Sequence, residues 1–134
     1  MTDVTAFDAD VLIYAAAIEH PLGAPVLDLV RDGGGVGSVL LLPEVLAKPM
    51  RSDPQSAEVE ALARILAALQ LVPFDEETAQ LAAVLGAKYG LWAADAAHLA
   101  TAVAAGADRF ITNNRKDFSR EIDEIDIVYP DMLR

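Results

Sequence analysis

The chain of 134 residues contains no cysteine. Disulfide staples, thiolate zinc sites and cysteine nucleophiles are excluded together, and the composition fits a reducing compartment. Histidine is nearly as scarce, with only His20 and His98. Two imidazoles are too few to build a histidine-based metal site, so any metal must be held mainly by oxygen, which favours hard ions such as Mg²⁺ or Mn²⁺. A membrane span needs about 18 consecutive apolar residues, and no run reaches that. The start, MTDVTAFDAD, lacks a basic segment followed by a long apolar one. The chain therefore reads as soluble and cytoplasmic. Positive charge is also in short supply: 10 Lys and Arg face 21 Asp and Glu, for a net charge of −11. Such a balance ordinarily argues against nucleic acid, because phosphate contacts depend on Lys and Arg.

What is present is aliphatic: 54% of the residues are hydrophobic and only 6% aromatic. That describes one globular domain, 1–134, with a helix-rich core. Short β-prone runs alternate with helical patterns along the whole length. Val4 to Phe7, Val36 to Leu42, Leu71 to Phe74, Arg109 to Thr112 and Asp126 to Tyr129 read as five strands. Between them lie apolar stretches at helical spacing: Val11 to Ala17, Ala24 to Arg31, Gln55 to Leu69, the segment after Asp75, and Trp92 to Ala105. A short helix after Pro43 should stop at Pro49. The alternation predicts an α/β fold with a mostly parallel, about five-stranded sheet and helices on both faces.

In such sheets ligands bind beyond the carboxyl ends of the strands. The residues there are Asp8 and Asp10 after strand one, Glu44 after strand two, and Asn113, Asn114 and Asp117 after strand four. Asp95 joins them if the connection before its helix folds back. Each has an ordinary explanation. Asp8 or Asp10 can cap a helix, Glu44 and Asp95 suit a helix's first turn, and Asp117 can be a solvated turn acid. His98 reads as a helix-face residue hydrogen-bonded in the core. Together the acids ask for more, because carboxylates converging on one point repel unless protonated or neutralised by a cation.

These segments carry a resemblance. Phe7-Asp8 with Val11-Leu12-Ile13-Tyr14, Leu42-Pro43-Glu44-Val45-Leu46 with Ser38 upstream, Ala93-Ala94-Asp95-Ala96-Ala97-His98-Leu99-Ala100, and Phe110 to Phe118 are similar, in order and spacing, to the four motifs of PIN domains. Among these the chain resembles the VapC-like toxins and their relatives. The resemblance implies a PIN-like three-layer α/β/α sandwich and a metal-dependent endoribonuclease that uses Mg²⁺ or Mn²⁺ to hydrolyse RNA. Its catalytic acids would be Asp8, Glu44, Asp95 and Asp117, with Asp8, Asp95 and Asp117 on the metal and Asp10, Thr112 and Asn114 in support. It further implies an antitoxin partner, and homodimers are common in the family. Two positions depart from the pattern: Ala9 stands where Thr or Ser is usual, and Asp10 where Asn or Ser is usual.

Neutralising the four catalytic acids moves the net charge from −11 to −7, still acidic. Distribution matters more. Lys48 and Arg51 follow Glu44, while Arg109, Arg115, Lys116 and Arg120 surround the fourth motif, so that six of the ten basic residues are expected to rim the site. Of these, Lys48, Arg51, Arg115 and Lys116 are the expected substrate contacts, where a positive rim would focus a phosphate substrate. Two other readings remain open: a catalytically weakened PIN-like binding module, and a haloacid-dehalogenase-type phosphatase built on Asp8-Ala9-Asp10.

Overall fold

Residue alternation on short strands sets the architecture. In the computed structural model, which describes residues 3–17 and 19–133, β1 (Thr5–Phe7), β2 (Gly35–Ser38), β3 (Gln70–Val72), β4 (Arg109–Ile111) and β5 (Asp126–Val128) form one sheet in the order β3-β2-β1-β4-β5. Every pairing is parallel, and Ala6 stands opposite Val36 on one side and Phe110 on the other. Successive strand residues point to opposite faces. Ala6, Val36, Phe110 and Ile127 therefore share one apolar cluster, and Phe7, Ile111 and Val128 the other. Strands buried on both sides need helices on both sides.

The Phe7 face is covered by α1 (Ala9–Ala16), α2 (Gly23–Asp32), α3 (Leu41–Ser52) and α4 (Ala57–Ala67), which contribute Leu12, Val26, Leu41, Val45, Leu62 and Leu66. The Ala6 face is covered by α5 (Glu76–Tyr89), α6 (Ala93–Ala104) and the segment carrying Phe118 and Ile122. The result is the three-layer α/β/α arrangement expected. Helix starts follow capping chemistry: Ser56 accepts from the Val59 N–H and Asp75 from the Thr78 N–H. At the end of α5, Gly90 takes φ +67°, a left-handed conformation that glycine adopts without a Cβ penalty.

Two boundaries differ from the sequence expectation. Strand β2 ends at Ser38 rather than Leu42, because the Ser38 hydroxyl accepts from the Leu40 N–H and turns the chain into α3. Helix α3 continues through Pro49 to Ser52. Proline there removes one donor near the helix end, while its own carbonyl still accepts from the Asp53 N–H at 3.0 Å. A single 3-10 turn, Pro130–Met132, follows β5.

The close approach of α1 and α2 rests on Gly23. A Cβ at this position would lie 2.2 Å from the carbonyl oxygen of Tyr14, a backbone atom that cannot rotate away. Gly23→Ala is expected to cost about 2–3 kcal/mol, since an overpacked core must shift backbone to accommodate it. Urea denaturation of the purified variant checks this, and an unchanged midpoint contradicts it.

Helix α6 runs from the carboxyl edge of the sheet to the amino edge. Its C-terminal end passes directly to Asp108, whose N–H donates to the Val4 carbonyl ahead of β1. Its first turn therefore lies beside the strand ends that precede α1 and α3. This is the folded-back connection on which the placement of Asp95 depended.

Candidate metal centre

At the carboxyl edge the chain turns from β1 directly into α1, and Asp8 caps that helix. One carboxylate oxygen accepts from the Ala9 N–H at 2.9 Å, and the other accepts from the Thr112 hydroxyl at 2.8 Å. Asp8 is only 5% exposed, and Thr112 is fully buried at the end of β4. Burial pushes the Asp8 carboxyl above its ordinary range, against the opposing effects of the Thr112 bond and His98.

Asp10, half-buried in the first turn of α1, spends both oxygens on backbone: it accepts from the Val11 N–H at 2.7 Å and from the Asn113 N–H at 3.1 Å. It ties α1 to the loop after β4. Burial, followed by the charge of Asp8, lifts its pKa to about 7. In that loop the Asn114 amide donates to Asp117 at 3.0 Å, the Asp117 N–H returns to the Asn114 side chain at 3.3 Å, and the Asn114 N–H donates to the Thr112 hydroxyl. The Thr112–Asp117 segment is thereby folded onto the strand end.

Asp95 lies in the first turn of α6, and its pKa is raised to about 6 by burial and then by the charges of Asp8, Asp117 and Glu44. These influences place Asp95 within electrostatic reach of acids from three other elements. Glu44 enters from the first turn of α3, and its Oε1 meets Nε2 of His98 at 2.8 Å. Burial disfavours the charged form of His98, but Glu44, Asp8 and Asp95 together outweigh it and raise the pKa.

Of the expected acids, Asp8 and Glu44 come together with His98, and Asp95 feels the charges of Asp8, Asp117 and Glu44. One oxygen each from Asp8 and Glu44 and one ring nitrogen of His98 lie within 4.8 Å of one another. Asp95 and Asp117 stand outside that tight group. Sequence reasoning gave His98 only a packing role; the signal available was its position three residues after Asp95, on the same helical face. Asn113, whose N–H holds Asp10, was also not assigned a role. The carboxylates supply hard oxygens, and their mutual repulsion is what a divalent cation relieves, so the residues fit a hard divalent ion.

The basic rim is narrower than the sequence suggested. Arg109, expected there, opens β4 at the amino edge and donates from Nε to Thr5 Oγ1 at 3.0 Å. Arg120 is held along edge strand β5 by the Ile127 carbonyl and Asp126. Both are drawn off by local partners, so six rimming charges become four. Lys48 and Arg51 lie one and two turns beyond Glu44 on α3, both exposed, and Lys116 is exposed beside Asp117. Arg115 sits 4.4 Å above the Tyr129 ring and pairs with Asp131 at 2.6 Å, which partly neutralises it.

Among solved structures, a toxin–antitoxin complex from Klebsiella pneumoniae contains a chain that superposes with a TM-score of 0.75 and 21% identity, over 94% of this chain and 97% of that one. VapBC2 from Rickettsia felis, bound to a DNA fragment of its promoter, gives 0.75 at 17% identity, with 94% and 98% coverage. DNA-bound VapBC from Salmonella typhimurium gives 0.69 at 17%, with 96% and 99%. At these identities the likeness is one of fold. No individual curated protein sequence matches significantly. The model of one family, described as PIN domain, matches residues 6–122, nearly the whole chain, and the protein therefore belongs to the PIN domain family.

Proposed function

We propose that this protein is a divalent-metal-dependent endoribonuclease of the VapC-like type, the toxin of a toxin–antitoxin pair. The observation that carries the reading is the convergence of Asp8, Glu44, Asp95 and Asp117 from four separate elements at one sheet edge, with Asp8 and Asp95 held above the ordinary carboxylate range. Folding tolerates such crowding poorly, and a cation-binding role accounts for it.

Asp8, Asp95 and Asp117 would hold Mg²⁺ or Mn²⁺, with Glu44 completing the acidic set. When bound, the ion supplies acidity to an attacking water and neutralises charge developing on the scissile phosphate. The chain's own residues set the geometry. Thr112 and the Ala9 N–H fix both oxygens of Asp8, Asn114 fixes Asp117, and Asp10 locks the loop after β4 against α1. Lys48, Arg51 and Lys116 provide the exposed positive charge that draws a phosphate backbone toward an otherwise acidic surface. Arg115, stacked on Tyr129, presents a guanidinium of fixed orientation once Asp131 yields to a phosphate. The solved relatives that occur in toxin–antitoxin complexes support an antitoxin as the partner.

Incubation with single-stranded RNA in Mn²⁺ tests the reading. Endonucleolytic cleavage that EDTA abolishes is the expected result. A protein that binds Mn²⁺ yet cuts no RNA would instead favour a PIN-like binding module. Replacing Lys48 and Arg51 together by Ala should lower cleavage roughly tenfold and flatten its salt dependence, because each phosphate contact contributes to the salt slope. An unchanged salt slope would remove these two residues from the substrate path.

A further inference from the structure

Each carboxylate around the centre, Asp95 excepted, has its own donor among the described residues. Asp8 has Thr112 and the Ala9 N–H, Asp10 has Asn113 and Val11, and Asp117 has Asn114. For Glu44 the donor is His98, at 2.8 Å. We propose that His98 is a positioning residue, not a metal ligand: it donates from Nε2 to one oxygen of Glu44 and turns the other toward Asp8. The inference rests on the metal-centre reading above and assigns a residue to it.

The protonation of the ring follows from its surroundings. His98 is 2% exposed, and its Nδ1 is buried with no hydrogen-bond partner among the described residues. An unpaired lone pair is tolerated in an interior more readily than an orphaned N–H. In the neutral ring the proton therefore sits on Nε2, where Glu44 accepts it. To ligate metal through Nε2, the ring would have to move that proton to Nδ1, where no acceptor waits, and release Glu44. Both steps oppose ligation. Glu44 itself needs an anchor, since its side chain is 39% exposed and otherwise free to leave the centre.

Mn²⁺ titration, followed by calorimetry on the purified chain, tests the role with three variants. His98→Gln places an amide N–H near the position of Nε2, His98→Asn places one only as far as Nδ1, and His98→Leu keeps bulk without a donor. Loss of a hydrogen-bonding partner behind a metal-binding side chain typically weakens affinity 10- to 100-fold, so Leu and Asn should show about that loss while Gln recovers to within roughly threefold. Thermal melting identifies a variant that fails to fold; the Gln and Asn forms, both polar, then carry the comparison.

If Leu or Asn binds Mn²⁺ as the unmodified chain does, the inference falls. If Gln is as weak as Leu, the imidazole itself is required and His98 is a ligand. Nitrogen-15 spectra of the metal-free chain give an independent readout: Nε2 should be protonated, and a proton on Nδ1 alone overturns the assignment. An unmodified chain that binds no Mn²⁺ brings down the metal centre as well. One that binds, with variants unaffected, brings down this inference alone.

Discussion

Asp8→Asn should reduce metal-dependent RNA cleavage by at least about 100-fold while leaving the protein folded, since even partners behind a metal's own ligands are worth 10- to 100-fold. The substitution is close to isosteric, and the Asn carbonyl can still accept one of the two hydrogen bonds that Asp8 receives, from the Ala9 N–H or from Thr112. What disappears is the negative charge at the most buried acid of the cluster. That charge is costly to maintain in the metal-free protein, where burial raises the Asp8 pKa. The variant should therefore melt no lower than the unmodified chain in EDTA at neutral pH, even as it loses activity. Cleavage rates in Mn²⁺ alongside melting curves in EDTA make the comparison. A variant that cuts RNA at the original rate would remove Asp8 from the chemistry, and one that simply unfolds would make it a structural cap.

Metal-free protein should lose stability as pH rises from about 4 to 7, and divalent metal should restore it. The sign follows from the direction of the shifts. Asp8, Asp10 and Asp95 all have folded-state pKa values above the ordinary carboxylate value, Asp10 at about 7 and Asp95 at about 6. Below the unfolded value near 3.8 these groups are protonated in both states and cost nothing. Above it the unfolded chain ionises freely while the native cluster resists, so stability drains away until the folded pKa is passed. At about 1.4 kcal/mol per unit, Asp10 alone accounts for a loss on the order of 3 kcal/mol across that window. Metal at 100 times its dissociation constant adds about 2.7 kcal/mol, or roughly 10 °C in melting temperature for a chain of this size.

Melting curves in EDTA and in Mn²⁺ between pH 5 and 8 check the prediction. A flat profile in EDTA, or equal melting temperatures with and without metal at pH 8, would contradict it. Asp95→Asn separates the cluster from the chain's general acidity. The Asp95 carboxylate has no hydrogen-bond partner among the described residues, so the substitution removes charge without breaking a bond. It should stabilise the metal-free protein at pH 8 by on the order of 1 kcal/mol after allowance for solvent screening, with little effect at pH 5.

The amino-acid sequence by itself determined the layer architecture and which acids follow the strands. The short β-prone runs Thr5–Phe7 and Arg109–Ile111, the caps at Asp8, Ser56 and Asp75, and the glycine at position 90 are local properties. Local properties are legible in a short window, because backbone sterics and side-chain spacing act within a few residues. Once strands and helices alternate, parallel pairing and a site at the carboxyl edge follow from topology alone. The tertiary structure decided which groups touch. Thr112 reaches Asp8 from 104 positions away, and His98 reaches Glu44 from 54. It also withdrew Arg109 and Arg120 from the rim, since Thr5, Asp126 and the Ile127 carbonyl hold them elsewhere. The physical reason is that a hydrogen bond or ion pair depends on distances of about 3 Å in space, which separation along the chain does not encode.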